Sequence, residues 1–159
     1  MRRLVGSEMC IRDRILSGSI GDGHSVASAI ALGADFAYLG TRFIATEEAN
    51  AEPEYKKMLE ESAAKDIVYS SLFTGVLGNY LKPSIENAGM YPENLTDADK
   101  TSMNFGSGGN TDSKAWKDIW GSGQGIGGIQ DSPTVSELVG RLKKEYEEAF
   151  NEFKSKMGV

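Results

Sequence analysis

The chain has 159 residues, 40% of them hydrophobic, and a net charge of −6, which is enough for one domain with a sizeable core. Its lysines and arginines form no cluster beyond the first residues, so we expect no nucleic-acid partner. No apolar run approaches the roughly 20 residues that span a bilayer. The longest candidate, residues 26–39, is interrupted by Gly33 and Asp35, and we expect no membrane role.

The sequence contains a single cysteine, Cys10, and a single histidine, His24. One cysteine cannot form an internal disulfide, and no cluster of cysteine and histidine has the spacing of metal ligands. We therefore predict no metal site and a reducing, cytoplasmic location.

The first fourteen residues predict neither a strand nor a helix. They contain two early arginines but no apolar segment and no small-residue cleavage site, so they do not match a secretory signal. The stretch GSEMCIRDR resembles translated sequencing adapter at the ends of some open reading frames. We expect residues 1–14 to be a non-native leader, with the native sequence beginning near Arg14 or Ile15, within a strand.

Residues 15–45 have the pattern of a strand, a helix and a second strand. The short apolar run 15–20 ends in a glycine-rich turn, and residues 24–32 carry apolar side chains at helical spacing before Gly33. Residues 36–39 (FAYL) then predict a second buried strand. A β-α-β unit implies parallel strands with a right-handed crossover. A helical turn is expected at residues 42–45.

From residue 46 onward this alternation is lost. Pro53 and the apolar positions after it predict a helix over 53–64, residues 67–73 favour an extended strand, and a short helix is expected over 82–89. Residues 87–113 and the glycine-dense segment 121–128 are interpreted as loops, with a helical turn near 116–120 between them. The clearest helix is predicted to begin at Pro133, with one apolar face extending to Met157.

Glycine and hydroxyl residues follow both predicted parallel strands. Ser17, Gly18 and Ser19 end the first strand, and Gly40 and Thr41 end the second, on the side where α/β folds place their active sites. Glycine lets the backbone approach a ligand closely, and the amides of a following helical turn favour an anion. These residues therefore indicate a phosphate site, and the alternative that the glycines only form tight turns has about even weight.

Three segments resemble the nitronate monooxygenase family, formerly called 2-nitropropane dioxygenases. They are LSGSIGDGHSVASAIALGADFAYLGTRFIATEEA, in which GTRF and TEE are the most specific elements, FTGVLGNYLKPSIENAG, and KAWKDIWGSGQGIGGI. The resemblance covers essentially all of the chain after Arg14.

The resemblance implies an α/β fold, the C-terminal part of a TIM (β/α)8 barrel with FMN at the C-terminal mouth. Residues 15–45 would then be the last two barrel strands, residues 46–131 an inserted, mostly helical cap on the substrate side, and residues 132–159 the terminal helix that packs back on the barrel. The inserted cap would explain the lost alternation.

By position, the resemblance assigns the FMN phosphate contacts to five residues: Ser17, Gly18, Ser19, Gly40 and Thr41. Many family members have Ala-Gly-Gly where this chain has Ser-Gly-Ser. Ser19 therefore stands at a glycine position, where its hydroxyl would either donate to the phosphate or crowd it.

His24 and Arg42 are the two other candidates near this site. The resemblance places the catalytic histidine of the family in an earlier loop, outside this sequence, so no catalytic residue is expected here. For His24, a position on the helix surface or beside the phosphate is about four times as probable as catalysis, because a base must face the reacting carbon. Arg42 is close to Glu47 and Glu48, so a surface ion pair is favoured over phosphate binding.

The glycines of segment 121–128 fit the dinucleotide pattern GxGxxG, but no strand precedes them and no helix opens from them, so we reject a Rossmann site. The resemblance implies that Gln124 and its flanking glycines approach flavin or substrate from the cap. Tyr80, Trp120 and Trp116 are candidates for the substrate pocket, with a core position as the alternative.

The function implied by the resemblance is oxidation of alkyl nitronates or nitroalkanes with O2, giving a carbonyl compound and nitrite. Rival hypotheses are an FMN-dependent enoyl reductase that uses NADH, the nucleotide-binding barrel of IMP dehydrogenase, and an inactive fragment without ligand. Neither enzyme rival accounts as well for residues 114–129.

Overall fold

A computed structural model describes residues 13–95 and 118–158. Strand β1 (Ile15–Ser17) lies parallel to β2 (Phe36–Tyr38), and helix α1 (Gly23–Ala31) connects them. In the register of the pair, Ile15 is opposite Phe36 and Ser17 is opposite Tyr38. The predicted β-α-β unit is confirmed, although each strand has three residues and is shorter than expected.

Helix α1 begins where its own side chains satisfy the first amides. Asp22 is the N-cap and accepts a hydrogen bond from the Ser25 amide at 2.7 Å. The Ser25 hydroxyl in turn accepts from the amides of Gly21 and Asp22, at 3.1 Å each. This reciprocal capping starts the helix one residue before the predicted position. Gly33, with φ of 92°, follows its C-terminal end.

The rest of the described chain builds short elements around a β-hairpin. The elements in chain order are α2 (Thr41–Ile44), α3 (Pro53–Glu61), β3 (Ile67–Ser70), β4 (Gly78–Leu81), α4 (Lys82–Asn87) and 3-10 helices at Ala64–Asp66, Pro92–Asn94 and Gln124–Gly128. Strands β3 and β4 are antiparallel, with Ile67 opposite Leu81. The strand predicted over 67–73 ends at Ser70, and β4 was not predicted at all.

The last helix, α5 (Val135–Met157), starts two residues later than predicted. Thr134 is its N-cap and forms a capping box with Glu137, which explains the start. The predicted apolar face is buried at Leu138, but Phe150, Phe153 and Met157 are between 49% and 60% exposed. The prediction of one continuous buried face is therefore wrong for the C-terminal half.

Within the described residues, no helix combines the length and apolar character that membrane crossing requires.

Ile20 and Ala29 are buried before β2, but both clusters of buried hydrophobic residues lie in the region after it. One cluster centres on Leu59, Leu81 and Ile126, and a second includes Phe73 and Ile85. The strands β1 and β2 were predicted to be buried, and this is wrong. Their side chains Ile15, Phe36 and Tyr38 are between 54% and 65% exposed, although helix α1 contacts β2.

Helices α1 and α5 approach each other closely at Gly23. A Cβ atom at this position would lie 2.3 Å from the Leu142 carbonyl oxygen and 2.5 Å from Glu145 Cβ. The Gly23 amide also donates to the Glu145 carboxylate at 2.8 Å, which fixes the contact. Only glycine permits this packing.

We predict that Gly23→Ala lowers the free energy of unfolding by about 2 kcal/mol, because the added methyl group forces the helices apart. Gly140→Ala is the matched control, since no atom lies within 4 Å of a Cβ there. It should raise the free energy of unfolding by about 0.5–1 kcal/mol through helix propensity. Urea unfolding followed by circular dichroism measures both, and equal effects of the two substitutions would contradict the packing argument.

Candidate functional site

A cleft of about 150 Å³ lies at the C-terminal ends of β1 and β2. The five residues that the sequence assigned to phosphate binding all line it, namely Ser17, Gly18, Ser19, Gly40 and Thr41. Tyr38 and Arg42 line the cleft as well, together with Gly123 and Gly125 from the glycine-rich segment. The cleft therefore combines two adjacent strand ends with a segment that is more than 80 residues distant in sequence.

The turn after β1 has an unusual backbone. Gly18 has φ of 95° and Ser19 has φ of 56°, so two successive residues adopt left-handed conformations. Glycine adopts this region without a penalty, whereas a serine there is strained by roughly 1 kcal/mol. Ser19 is the only described residue other than glycine with a positive φ. The backbone of this turn bends beside the cleft, and Ser19 is strained as a result.

The two helices that follow the strands begin differently. The first amides of α1 are bound to carboxylates, because Asp22 caps the Ser25 amide and Glu145 accepts from Gly23. Helix α2 begins at Thr41, and its N-cap Gly40 provides no side-chain hydrogen bond. Of these two helices, only α2 has first amides without a side-chain acceptor.

Thr41 connects α2 to the glycine-rich segment. Its hydroxyl oxygen accepts a hydrogen bond from the Gly123 amide at 2.8 Å. Because the amide is the donor, the proton of this hydroxyl is available for a second acceptor, such as a ligand oxygen.

The glycine-rich segment packs backbone to backbone on the turn after β1. A Cβ atom on Gly125 would lie 3.0 Å from the carbonyl carbon of Ser19, and one on Gly21 would lie 3.0 Å from the Gly125 oxygen. Residues 121–128 were predicted to be a loop, and this is wrong for Gln124–Gly128, which form a 3-10 helix. The close approach of the two backbones explains why this segment is rich in glycine.

Arg42 is buried, contrary to the prediction of a surface ion pair with Glu47 or Glu48. Its side chain is only 3% exposed. One terminal nitrogen donates to the Ala45 carbonyl at 3.1 Å and to the Asp131 carbonyl at 3.0 Å, and the other donates to the Asp131 carboxylate at 2.8 Å. No local pattern indicated this pairing, because the two partners are 89 residues apart.

Asp131 is shared between two arginines. Its two carboxylate oxygens accept from both terminal nitrogens of Arg141, at 3.0 and 2.7 Å. Hydrogen bonds from Arg141 hold the pKa of Asp131 below its usual value, with a further contribution from Arg42. Burial lowers the pKa of Arg42, an effect that the charge of Asp131 opposes. An arginine remains protonated in proteins, so Arg42 and Asp131 form an ionic pair.

The aromatic candidates for the substrate pocket occupy core positions. Tyr80 is 7% exposed and packs edge to face on Phe73, with ring centroids 4.8 Å apart. Trp120 stacks on Tyr55 at 5.0 Å. Neither ring lines the cleft. Gln124 is exposed, and its neighbours Gly123 and Gly125 both line the cleft. Trp116 lies outside the described residues.

His24 lies in the first turn of α1 and is exposed. It does not line the cleft. In residues 13–95 and 118–158, no group of three or more histidine, cysteine, aspartate or glutamate side chains has the geometry of a metal site.

Comparison with known proteins identifies the class of this α/β protein. The profile of the nitronate monooxygenase family matches residues 15–145, and the chain belongs to that family. A nitronate monooxygenase of Paraburkholderia phytofirmans is 29% identical over 159 residues, which cover 97% of this chain and 43% of the relative. The chain thus spans less than half of the length of this relative.

Two solved structures share the fold. FabK from Thermotoga maritima has a TM-score of 0.65 at 21% identity, covering 90% of this chain and 47% of its own. Nitroalkane oxidase from Streptomyces ansochromogenes has a TM-score of 0.62 at 22% identity, covering 92% of this chain and 43% of its own. Both are TIM-barrel enzymes, which supports the predicted α/β class.

The strain at Ser19 gives a stability prediction. Ser19→Gly should raise the free energy of unfolding by about 0.5–1 kcal/mol, because glycine adopts a positive φ without steric conflict. Ser28→Gly, on the exposed side of α1, is the control and should lower it by about 0.5 kcal/mol. Thermal denaturation of both variants provides the test, and a destabilised Ser19→Gly would show that the serine hydroxyl outweighs the strain.

Proposed function

We propose that this chain supplies the last two strands, the cap and the terminal helix of a TIM-barrel flavoenzyme. The enzyme oxidises alkyl nitronates or nitroalkanes with O2 to a carbonyl compound and nitrite. The observation that carries the proposal is the convergence of Gly18, Gly40 and Thr41 in one cleft at the C-terminal ends of two adjacent parallel strands. Phosphate groups bind at this position in α/β barrels.

The residues of the cleft fit the phosphate of FMN. The Thr41 hydroxyl and the first amides of α2, which no side chain caps, supply donors. A Cβ atom on Gly18 or Gly40 would meet nothing within 4 Å, so both glycines leave open space beside the backbone. The cleft of about 150 Å³ is smaller than a typical ligand pocket of roughly 300–1,000 Å³, and it suits the phosphate end of the cofactor.

In the mechanism, bound FMN supplies the redox chemistry. The cleft residues of this chain would hold its phosphate, and the hydrogen bond from the Gly123 amide to the Thr41 hydroxyl oxygen keeps the glycine-rich segment at the cleft. Gln124 projects from this segment and is the candidate for contact with flavin or substrate. The proton transfer that a neutral nitroalkane requires is not assigned to His24, which is exposed and does not line the cleft.

An NADH-dependent enoyl reductase on the same scaffold is the alternative. The TM-scores of 0.65 and 0.62 to the two solved structures do not separate these reactions, because a fold alone does not define an activity. Membership of the nitronate monooxygenase family favours the first function. Oxygen consumption with a nitronate, measured against NADH oxidation, distinguishes them.

Ligand binding is to be measured in a full-length chimeric enzyme, in which residues 15–159 replace the matching part of the Paraburkholderia relative. Gly40→Asp in this enzyme should abolish retention of FMN and give a colourless protein, because a carboxylate would repel the phosphate dianion. The backbone at Gly40 has φ of −108°, so aspartate fits without strain. Gly127→Asp, outside the cleft and with open space around it, is the control and should remain yellow. Stoichiometric FMN in Gly40→Asp would refute the site assignment.

The position of His24 gives a kinetic prediction. Loss of a general base typically costs ~10² to 10⁴ in rate, whereas His24→Ala should change turnover of a neutral nitroalkane by less than about tenfold. Turnover of the nitronate should change even less, since this substrate is already deprotonated. Oxygen consumption at saturating FMN measures both. A loss of about a hundredfold or more, confined to the neutral substrate, would identify His24 as the base.

A further inference from the structure

We propose that Tyr55 of helix α3 is a positioning residue for the cleft. Its hydroxyl holds the glycine-rich segment where Gly123 and Gly125 form one wall of the cleft. The inference rests on the proposed function, because it takes flavin as the ligand that this wall contacts. Tyr55 itself does not line the cleft, so it acts through the backbone of the segment.

The chain that leads into this wall lies along β4 like an additional strand. The Leu81 amide donates to the Trp120 carbonyl at 2.8 Å, and the Ser122 amide donates to the Asn79 carbonyl at 3.2 Å. An antiparallel bridge lies between these two hydrogen bonds. The β-hairpin therefore sets the direction in which the chain enters the glycine-rich segment.

Two side-chain hydroxyls fix this strand-like stretch. The Tyr55 hydroxyl donates to the Gly121 carbonyl, and the Tyr55 ring stacks on Trp120 with centroids 5.0 Å apart. The Ser84 hydroxyl accepts from the Trp120 amide at 3.0 Å and donates to the Leu81 carbonyl at 2.7 Å. Side chains of α3 and α4 thus bind backbone groups of two consecutive residues.

The wall of the cleft begins two residues after Gly121. The Gly123 amide donates to the Thr41 hydroxyl oxygen at 2.8 Å, and a Cβ atom on Gly123 would lie 3.2 Å from the same oxygen. The wall therefore lies close to α2. Because a single residue separates Gly121 from Gly123, a displacement of the Gly121 carbonyl also displaces the wall.

Helix α3 also contacts the chain that follows α2. Lys56, next to Tyr55, donates from Nζ to the carbonyl oxygens of Thr46 at 2.6 Å and Glu47 at 3.2 Å. Neighbouring residues of one helix thus bind both parts of the chain that meet at the hydrogen bond between Gly123 and Thr41. Helix α3 can therefore set the distance between them.

The Tyr55 hydroxyl is a donor that a conservative substitution removes alone. Burial raises the pKa of Tyr55 to about 12, so the hydroxyl keeps its proton at neutral pH. Phenylalanine retains the ring and its stacking on Trp120, and it leaves the Gly121 carbonyl without this donor. A carbonyl that loses a partly buried donor is unfavourable where it lies, so the segment should shift.

The rate constant for FMN dissociation from the full-length chimeric enzyme reports on the wall. It is measured by the recovery of flavin fluorescence after dilution. Tyr55→Phe should raise it at least about fivefold, because a loosely held wall is no longer preorganised for the ligand. The matched control is Tyr80→Phe, whose lost hydroxyl is bound to Thr74 at 3.1 Å, in the loop between β3 and β4. It should change the rate constant less than about twofold.

Hydrogen exchange followed by mass spectrometry separates positioning from a general loss of stability. In Tyr55→Phe, the peptide that contains Gly123 should exchange at least about fivefold faster than in the parent, and β3 should stay within about twofold. Tyr80→Phe should not accelerate exchange at Gly123. A uniform acceleration in Tyr55→Phe would show that Tyr55 contributes only to stability.

Two kinetic outcomes would overturn the inference as well. These are an unchanged rate of FMN release in Tyr55→Phe, or equal acceleration in Tyr55→Phe and Tyr80→Phe. If Tyr55→Phe does not fold, Ser84→Ala provides the same test, because it removes the hydroxyl bound to the Trp120 amide. It should accelerate FMN release at least about threefold, and an unchanged rate would overturn the inference.

Failure of the proposed function looks different. A parent enzyme that binds no FMN contradicts the proposed function, and the exchange comparison at Gly123, which needs no flavin, still decides whether Tyr55 positions the wall. A parent that binds FMN and oxidises a nitronate, with equal FMN release in Tyr55→Phe and Tyr80→Phe, contradicts only the role of Tyr55.

Discussion

The ion cluster of Arg42, Asp131 and Arg141 joins the separate parts of the candidate site. Arg42 belongs to α2 at the end of the second parallel strand, Asp131 follows the glycine-rich segment, and Arg141 belongs to α5. Burying a guanidinium is unfavourable unless it is paired and hydrogen-bonded, and here Asp131 provides both. The strand ends, the glycine-rich segment and the last helix are therefore held in one arrangement.

The same arrangement explains the geometry of the cleft. With Asp131 held by Arg42, the segment before it lies on the turn after β1, where Gly125 and Gly21 permit contact between two backbones. The Thr41 hydroxyl binds the Gly123 amide, so the wall of the cleft and the start of α2 share a hydrogen bond. The donors of the proposed phosphate site are thus fixed before a ligand binds, which would lower the entropic cost of binding an anion.

Local patterns in the sequence predicted the β-α-β unit and the five strand-end residues that meet in the cleft. The predicted starts of α1 and α5 were wrong by one and two residues, respectively. Asp22 and Thr134 form capping boxes that determine where the helices begin, and apolar spacing does not reveal them. Strand β4 was missed, since its four residues begin with glycine and are extended by pairing with β3.

Local sequence patterns did not predict contacts between residues that are distant in the sequence. Nothing near Arg42 in the sequence indicated that its partner is Asp131, and the closer acidic residues favoured the wrong pair. Apolar character likewise did not distinguish a pocket position from the core for Tyr80 and Trp120, whose rings contact Phe73 and Tyr55. The exposure of β1 and β2 was also not visible locally, because it depends on which elements cover the sheet.

The central claim is that the cleft at the ends of β1 and β2 binds the phosphate of FMN. A crystal structure of the full-length enzyme with FMN tests it most directly. The account predicts phosphate oxygens at about 2.7–3.2 Å from the Thr41 hydroxyl and from backbone amides at the start of α2, with the turn at Gly18 around them. A phosphate bound elsewhere, with these donors facing solvent, would contradict the account.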